Sequence, residues 1–248
     1  MGAHVARLVD VHVRLSGVDV LNGIDLDLAA GTQTAVLGRS GAGKSTLLRV
    51  LEGEIAPHRG EVQVSAGQGR QRQAVVYQQP LLFDWLTVQE NVALGLGFRR
   101  NRSVSAERVD ELLALLQIEH LRDRYPDQLS GGQAQRVSFG RALAVEPELL
   151  LLDEPFSALD PATRSTLQDW IRVESRREGL TSVIVTHDID EALLLADHIV
   201  LLEDGRVTRR WQADPAHRSQ QRAEIRDVFG VGPAEDDSAS PKEILANV

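Results

Sequence analysis

Cysteine is absent from the 248 residues of this chain, and aromatic side chains make up only 4% of it. The absence of cysteine excludes disulfides, thiolate metal ligands and cysteine nucleophiles, and it suits a reducing compartment. No apolar run approaches the roughly 18 residues of a membrane span. The first ten residues, MGAHVARLVD, lack an apolar core of signal-peptide length. These absences predict a cytoplasmic protein that contacts a membrane only through a partner.

Basic residues are also in the minority, with 27 Lys and Arg against 36 Asp and Glu, a formal net charge of −9. An acidic surface argues against general nucleic-acid binding, which needs a basic footprint. The hydrophobic fraction of 42% is ordinary for a globular protein, and the length allows a large core. We therefore expect a soluble globular protein with no nucleic-acid partner.

One glycine-rich stretch, GRSGAGKST at residues 38–46, matches the P-loop pattern and lies between a strand-like and a helix-like segment. Its glycines let the backbone wrap around phosphate oxygens, and its N–H groups and the following helix N-terminus face the anion. Lys44 adds charge for the β- and γ-phosphates, and Ser45 offers a hydroxyl to Mg²⁺. The alternative, a simple glycine-rich turn, does not explain this context. The predicted nucleotide contacts are Gly38, Arg39, Ser40, Gly41, Ala42, Gly43, Lys44, Ser45 and Thr46.

Polar residues follow two strongly apolar segments. Asp153 and Glu154 come directly after four leucines, and His187 follows the apolar run 182–185. Ligands of open α/β sheets bind outside the carboxyl ends of the strands. We therefore predict Asp153 as a metal ligand, Glu154 as general base or water-orienting group, and His187 as a γ-phosphate or water contact. The alternative of two surface acids in a loop fits poorly with the four leucines.

A second stretch of small residues, LSGGQ at 129–133, precedes a helical pattern. A Ser-Gly-Gly turn at a helix N-terminus is another anion cradle. One nucleotide needs only one cradle. A head-to-tail pair of subunits would use both, with each LSGGQ covering the P-loop of its partner.

Together these motifs resemble those of the ATP-binding subunits of ABC transporters, along roughly residues 5–210. The resemblance implies that Gln78 is the Q-loop glutamine, catalytic and a metal ligand, and that 157–160 is the D-loop. It implies catalytic roles for Lys44, Glu154 and His187, and Ser45, Gln78 and Asp153 as Mg²⁺ ligands. Further ATP contacts implied by the resemblance are Ser130, Gly131, Gly132, Gln133 and Asp160.

The same resemblance implies an α/β fold, a P-loop NTPase (RecA-like) core with an antiparallel β sub-domain and a helical sub-domain at about 80–145. The ATPase domain would cover 1–208, and 209–248 would form a partly mobile C-terminal extension. ATP, with Mg²⁺, would close a dimer, and hydrolysis would open it and move membrane subunits.

The loop LLFDWLTVQENVALGL is similar to that of importers of the nitrate, taurine and aliphatic sulfonate type, although that branch usually has Pro where Asp84 stands. This implies a second ATPase subunit, transmembrane permease subunits, an extracytoplasmic solute-binding protein and a place at the cytoplasmic face of the cell membrane. The alternatives are a soluble ATPase switch of the same fold and an exporter's ATPase subunit.

The chain departs from the family in one place. The family usually stacks adenine on an aromatic residue near the N-terminus, where this chain has Leu15, and no Phe, Tyr or Trp occurs before Tyr77. Stacking of a base on an aromatic ring is worth about 1–3 kcal/mol. We therefore expect weak ATP binding, with Leu15 giving only apolar contact.

Residue periodicity predicts the remaining elements. Residues 203–206, Glu-Asp-Gly-Arg, are a hairpin signal. Beyond about residue 209 the pattern fades, and 233–243 has the composition of a solvated tail. The predicted strands are 5–15, 24–28, the segment before the P-loop, 61–64, 74–77, 149–152, 182–185 and 198–202. The predicted helices are one that follows an apolar loop within 78–97, then 105–116, from LSGGQ to about 145, 161–178 and 189–196.

Overall fold

The computed structural model describes residues 4–64, 72–98, 101, 104–177 and 179–230. In chain order, its strands are β1 (His4–Leu15), β2 (Val18–Ala29), β3 (Gln33–Leu37), β4 (Arg59–Val64), β5 (Gln73–Val76), β6 (Leu149–Asp153), β7 (Thr181–Thr186), β8 (His198–Glu203) and β9 (Arg206–Gln212). The α-helices are α1 (Lys44–Glu52), α2 (Val88–Ala93), α3 (Glu107–Leu115), α4 (Gly131–Leu143), α5 (Pro161–Arg177), α6 (Ile189–Leu195) and α7 (Arg218–Phe229).

A six-stranded sheet in the order β5-β6-β7-β3-β8-β9 forms the centre of the fold. Its first five strands are parallel, and β9 adds an antiparallel edge. Successive side chains of a strand point to opposite faces. Leu149 and Leu151 of β6 accordingly pack towards α1, whereas Leu150 and Leu152 pack towards the helices on the other face. Helices on both faces explain why the parallel strands are continuously apolar.

The antiparallel sheet β2-β1-β4 packs on one face of the central sheet. Its strands alternate, because Leu26 and Leu28 are buried while Asp25 and Asp27 between and before them are exposed. The opposite face carries α2, α3 and α4, whose core includes a stacked pair, Phe139 and Phe156, with ring centroids 5.9 Å apart. This arrangement confirms the predicted α/β fold class.

Most predicted elements are present, with two differences. The helix predicted from Ser105 begins at Glu107, with Ala106 at the cap position, and the Ser105 hydroxyl accepts from the Glu107 N–H at 3.2 Å. Strand β9 follows the hairpin signal at 203–206 and extends to Gln212, and helix α7 occurs where the sequence pattern fades. The predicted division at residue 208 falls inside β9 and stays a prediction. The predicted tail at 233–243 lies outside the described residues. No helix of the described residues is long and apolar enough to cross a membrane.

Helix α7 is held by two apolar side chains, Ile225 and Phe229, which are 0% and 9% exposed. They pack with α6 and the outer strands of the central sheet. The helix therefore belongs to the folded core although its sequence is mostly polar.

We predict that Ile225→Ala lowers the free energy of unfolding by about 2–5 kcal/mol, because it removes buried methyl and methylene groups and leaves a cavity. Val228→Ala on the same helix is the control, since Val228 is 37% exposed and its truncation should change stability by no more than about 0.5 kcal/mol. Urea unfolding measures both. Equal, small losses for the two variants would show that α7 does not pack as described.

Candidate functional site

The P-loop connects β3 to α1 and its glycines are structurally required. Gly41 and Gly43 have φ angles of 82° and 102°, in the left-handed region that favours glycine. A Cβ on Gly38 would lie 2.6 Å from the Leu202 carbonyl oxygen. The loop therefore curls closely against the sheet and the β1–β2 hairpin.

Lys44 begins α1 and lies at the mouth of this loop. It is 7% exposed, and its Nζ donates to the carbonyl oxygens of Gly38 at 2.8 Å and Arg39 at 3.0 Å. Burial lowers the pKa of Lys44, and the nearby carboxylates of Glu154 and Asp153 oppose that shift. These two hydrogen bonds hold the Lys44 ammonium group against the backbone of the P-loop.

Asp153 ends β6 beside the P-loop. Burial raises the pKa of Asp153, and the neighbouring Ser45 hydroxyl opposes this shift. Desolvation disfavours a carboxylate unless a cation or donors compensate. The pair therefore presents oxygen atoms in a position that suits a hard cation.

Glu154 follows in a left-handed conformation, with φ of 43°, and its N–H donates to the Val185 carbonyl oxygen at 2.9 Å. Positive φ is uncommon for residues other than glycine and points to a local constraint. Asp153 therefore ends the strand, and Glu154 begins the turn that follows it.

Two further predicted residues meet at Glu154. Gln78 Nε2 lies 3.4 Å from Glu154 Oε2, and His187 Nδ1 lies 3.5 Å from the same oxygen. Gln78 follows β5 and His187 follows β7, so three neighbouring strands bring these side chains together. The amide and the imidazole therefore frame one carboxylate at the carboxyl edge of the sheet.

A cleft of about 340 Å³ lies between the P-loop and the residues Gln78, Asp153 and Glu154. Its size lies at the small end of ligand pockets. Of the predicted residues, Gly38, Arg39 and Ala42 of the P-loop do not line it, and neither does His187, which approaches only the Glu154 carboxylate. Leu15 does not line it either, because its side chain packs against a core cluster, and Val20 on the facing strand lines the cleft instead. The lining residues are Val20, Ser40, Gly41, Gly43, Lys44, Ser45, Thr46, Gln78, Asp153 and Glu154.

The LSGGQ segment forms the start of α4, away from this lining. Ser130 caps the helix by accepting from the Gln133 N–H at 3.3 Å, and Gln133 Oε1 accepts from the Ser130 N–H at 2.9 Å. This reciprocal capping box holds the helix N-terminus with Ser130 and Gly131 exposed. Within one chain the two predicted phosphate cradles do not meet.

Asp160 is occupied within its own chain. Its carboxylate accepts from the Thr163 N–H at 3.0 Å, from the Thr163 hydroxyl at 2.7 Å and from Arg136 at 2.9 Å. The Thr163 hydrogen bonds above all lower the pKa of Asp160 to about 2. The sequence indicates Asp160 as an ATP contact but gives no sign of this link between α5 and α4.

Comparison with known proteins identifies the family of this chain. The family model described as "ABC transporter" matches residues 21–157. The chain belongs to the ABC transporter family. Among its relatives, the aliphatic sulfonates import ATP-binding protein SsuB of Corynebacterium glutamicum is 48% identical over 201 residues, covering 79% of each chain. The sulfate/thiosulfate import ATP-binding protein CysA of Caulobacter vibrioides is 44% identical over 82% of this chain and 63% of the relative. The predicted resemblance is confirmed.

Solved ABC structures share the fold. The ATP-binding cassette MJ0796, in a dimeric post-hydrolysis state bound to ADP and Pi, aligns with a TM-score of 0.77 and 31% identity. The alignment covers 84% of this chain and 99% of that one. The chain is therefore an ABC ATPase cassette, and it binds ATP.

We predict that Asp160→Ala destabilises the fold at neutral pH. Because the folded-state pKa of Asp160 lies below its unfolded value, its contribution is fully present above the unfolded pKa of about 3.8 and is lost as pH falls through the folded pKa of about 2.

The melting temperatures of the unaltered chain and of Asp160→Ala, measured at decreasing pH from pH 7, test this prediction. The difference should be constant between pH 7 and pH 5 and should shrink below pH 4. Asp169→Ala, which removes an exposed acid further along the same helix, is the control. A difference that persists unchanged at pH 3 would contradict the account.

Proposed function

We propose that this chain is the ATP-binding and ATP-hydrolysing subunit of an ABC importer, acting as a head-to-tail dimer that drives a membrane permease. The observation that carries the proposal is the convergence of Lys44, Asp153 and Glu154 on one cleft, with Gln78 and His187 on the Glu154 carboxylate. Relatives named as import ATP-binding proteins support it.

In this proposal the P-loop holds the phosphates of ATP through residues 38–46, with Lys44 on the β- and γ-phosphates. The Ser45 hydroxyl and the Asp153 carboxylate fit Mg²⁺, which prefers oxygen ligands and takes its others from phosphates and water. Gln78 is the third proposed protein ligand. The bound ion would neutralise charge on the phosphates, and its positive charge would favour the ionised form of Asp153.

Glu154 is the proposed general base or water-orienting group. Its carboxylate lies in the cleft with Lys44 and has both Gln78 and His187 beside it. Glu154 would orient or take a proton from a water that attacks the γ-phosphorus, the bond from that phosphorus to the bridging oxygen would break to leave ADP and phosphate, and His187 would contact the γ-phosphate or that water. In this proposal Glu154 acts on the water, and the preceding residue, Asp153, binds the metal ion.

The signature residues Ser130, Gly131, Gly132 and Gln133 are proposed to complete the site of a second copy, together with Asp160. Ser130 and Gly131 are exposed at the capped N-terminus of α4, and none of the four residues lines the cleft of its own chain, which favours this arrangement. Two cassettes would then enclose two ATP molecules, and hydrolysis would separate them.

An exposed aromatic surface is the proposed permease contact. Leu81 and Trp85 are 56% and 72% exposed, and Phe83 packs against Trp85 with ring centroids 5.2 Å apart. This surface follows Gln78 closely in the chain, so a permease that docks there could shift Gln78 at the proposed hydrolysis site. We propose uptake of a small solute of the nitrate, taurine or sulfonate type, delivered by an extracytoplasmic binding protein, with this chain at the cytoplasmic face of the membrane.

We predict that Glu154→Gln lowers kcat for ATP hydrolysis by roughly 10²–10⁴-fold, because a positioned general base contributes about that much. ATP binding should persist, and an ATP-bound dimer should accumulate in size-exclusion chromatography. Glu148→Gln, an exposed glutamate before the opposite end of β6, should behave as the unaltered chain. Rapid turnover in Glu154→Gln would remove Glu154 from this role.

We also predict that a polytopic permease co-purifies with the chain from gently solubilised membranes of its host. Trp85→Asp should lose this companion and keep ATPase activity, whereas Val173→Asp, at a 50% exposed position on α5, should retain both. A soluble dimer with ATPase activity and no membrane companion would contradict the importer proposal and favour a soluble switch. Recovery of a permease whose transport system contains no solute-binding protein would favour an exporter.

A further inference from the structure

One buried side chain contacts the backbone beside both Gln78 and Glu154. Gln135 of α4 is 1% exposed. Its Nε2 donates to the carbonyl oxygen of Tyr77 at 3.1 Å and to that of Pro155 at 3.3 Å. Tyr77 directly precedes Gln78, and Pro155 directly follows Glu154.

The orientation of this amide is fixed by its partners. Both are carbonyl oxygens, and only the nitrogen end of a glutamine side chain carries two N–H donors. The Oε1 end is buried and has no hydrogen-bond partner among the described residues. A buried acceptor without a partner is costly, so the amide is a poor choice for packing alone. Its two donated hydrogen bonds are the feature that an apolar side chain would lack.

These two bonds constrain the catalytic backbone. The Tyr77 carbonyl and the Gln78 nitrogen belong to one planar peptide group, so holding the oxygen orients the start of Gln78. The ring of Pro155 locks its φ angle, so holding the Pro155 carbonyl restricts the preceding Glu154. Glu154 has a φ of 43°, a conformation that persists only where its surroundings determine it.

The same helix also holds the other side of Gln78. Arg141 of α4 donates to the carbonyl oxygens of Pro80 at 3.0 Å and Leu81 at 2.7 Å. On the far side, the Tyr77 hydroxyl donates to Glu52 at the end of α1 at 2.6 Å. The backbone around Gln78 is therefore clamped to α4, and Gln135 extends this clamp to the Glu154 turn.

We propose that Gln135 is a positioning residue for ATP hydrolysis, which sets Gln78 and Glu154 at their working separation. The inference rests on the proposed function, because it needs Gln78 and Glu154 to act in hydrolysis. Since α4 begins with the signature residues, the amide also makes the placement of this pair depend on the position of that helix.

The test compares Gln135→Met, which keeps the side-chain length and removes both donors, with Ser138→Ala as control. Ser138 lies on the same helix, is 0% exposed, and its hydroxyl has no partner among the described residues. For Gln135→Met we expect kcat to fall by about 10–100-fold with the KM for ATP nearly unchanged, as misplacement of catalytic groups predicts.

The Mg²⁺ concentration for half-maximal activity should also rise, by about tenfold, as expected when a group that orients a metal ligand is lost. Ser138→Ala should keep all three values. Gln135→Asn, which keeps the amide but shortens the side chain by one methylene, is the second variant and should show the same losses if Gln135→Met does not fold.

The outcomes separate this inference from the proposed function. An unaltered chain without ATPase activity would remove both. An active unaltered chain with fully active Gln135 variants would remove only the positioning role. A loss of kcat that follows a lower melting temperature, with no change in the Mg²⁺ requirement, would show that Gln135 merely supports packing.

Discussion

The site depends on the parallel register of three strands in the middle of the sheet. Leu37 of β3 is aligned with Thr186 of β7, and Asp153 of β6 is aligned with Val185. Parallel strands end at one edge, so the segments that follow them share that edge. The P-loop, the Asp153–Glu154 turn and His187 therefore meet although they are far apart in sequence. A register shift of one strand would separate them, and the buried, alternating side chains of the strands oppose such a shift.

Electrostatics at this edge explain why the cleft favours a charged ligand. Burial moves the pKa values of Lys44 and Asp153 in opposite directions, downwards for the ammonium and upwards for the carboxylate. Both shifts mean that burial disfavours the charged form. Phosphate oxygens would compensate Lys44, and a divalent cation would compensate Asp153. ATP with Mg²⁺ supplies both charges in one ligand, so the desolvation that costs the protein stability is recovered on binding.

Much of the fold and of the candidate site was predictable from sequence. Apolar periodicity indicates the strands and helices, and Gly, Asp and His residues indicate where the strands end. The hairpin signal at 203–206 indicated the turn after β8, but the extent of β9 was not predicted, because its residues are largely exposed and it is held by pairing with β8. Helix α7 escaped because only Ile225 and Phe229 are buried. Val20 lines the cleft where Leu15 was predicted to make contact, since the hairpin pairing decides which side chain faces the loop. Such choices depend on tertiary packing, which no local pattern encodes.

Helix α4 joins features that the sequence places on separate motifs. Its first turn carries the LSGGQ residues, its next turns hold Gln135 against the backbone beside Gln78 and Glu154 and Arg136 against Asp160, and Arg141 near its end binds the loop beneath the exposed aromatic surface. A helix transmits displacement as a rigid body because its backbone hydrogen bonds are internal. A partner that moves the signature, or a permease that moves the aromatic loop, would therefore act on Gln78 and Glu154 through one element. The buried amide of Gln135, too costly for packing alone, is the contact that gives this coupling a physical route.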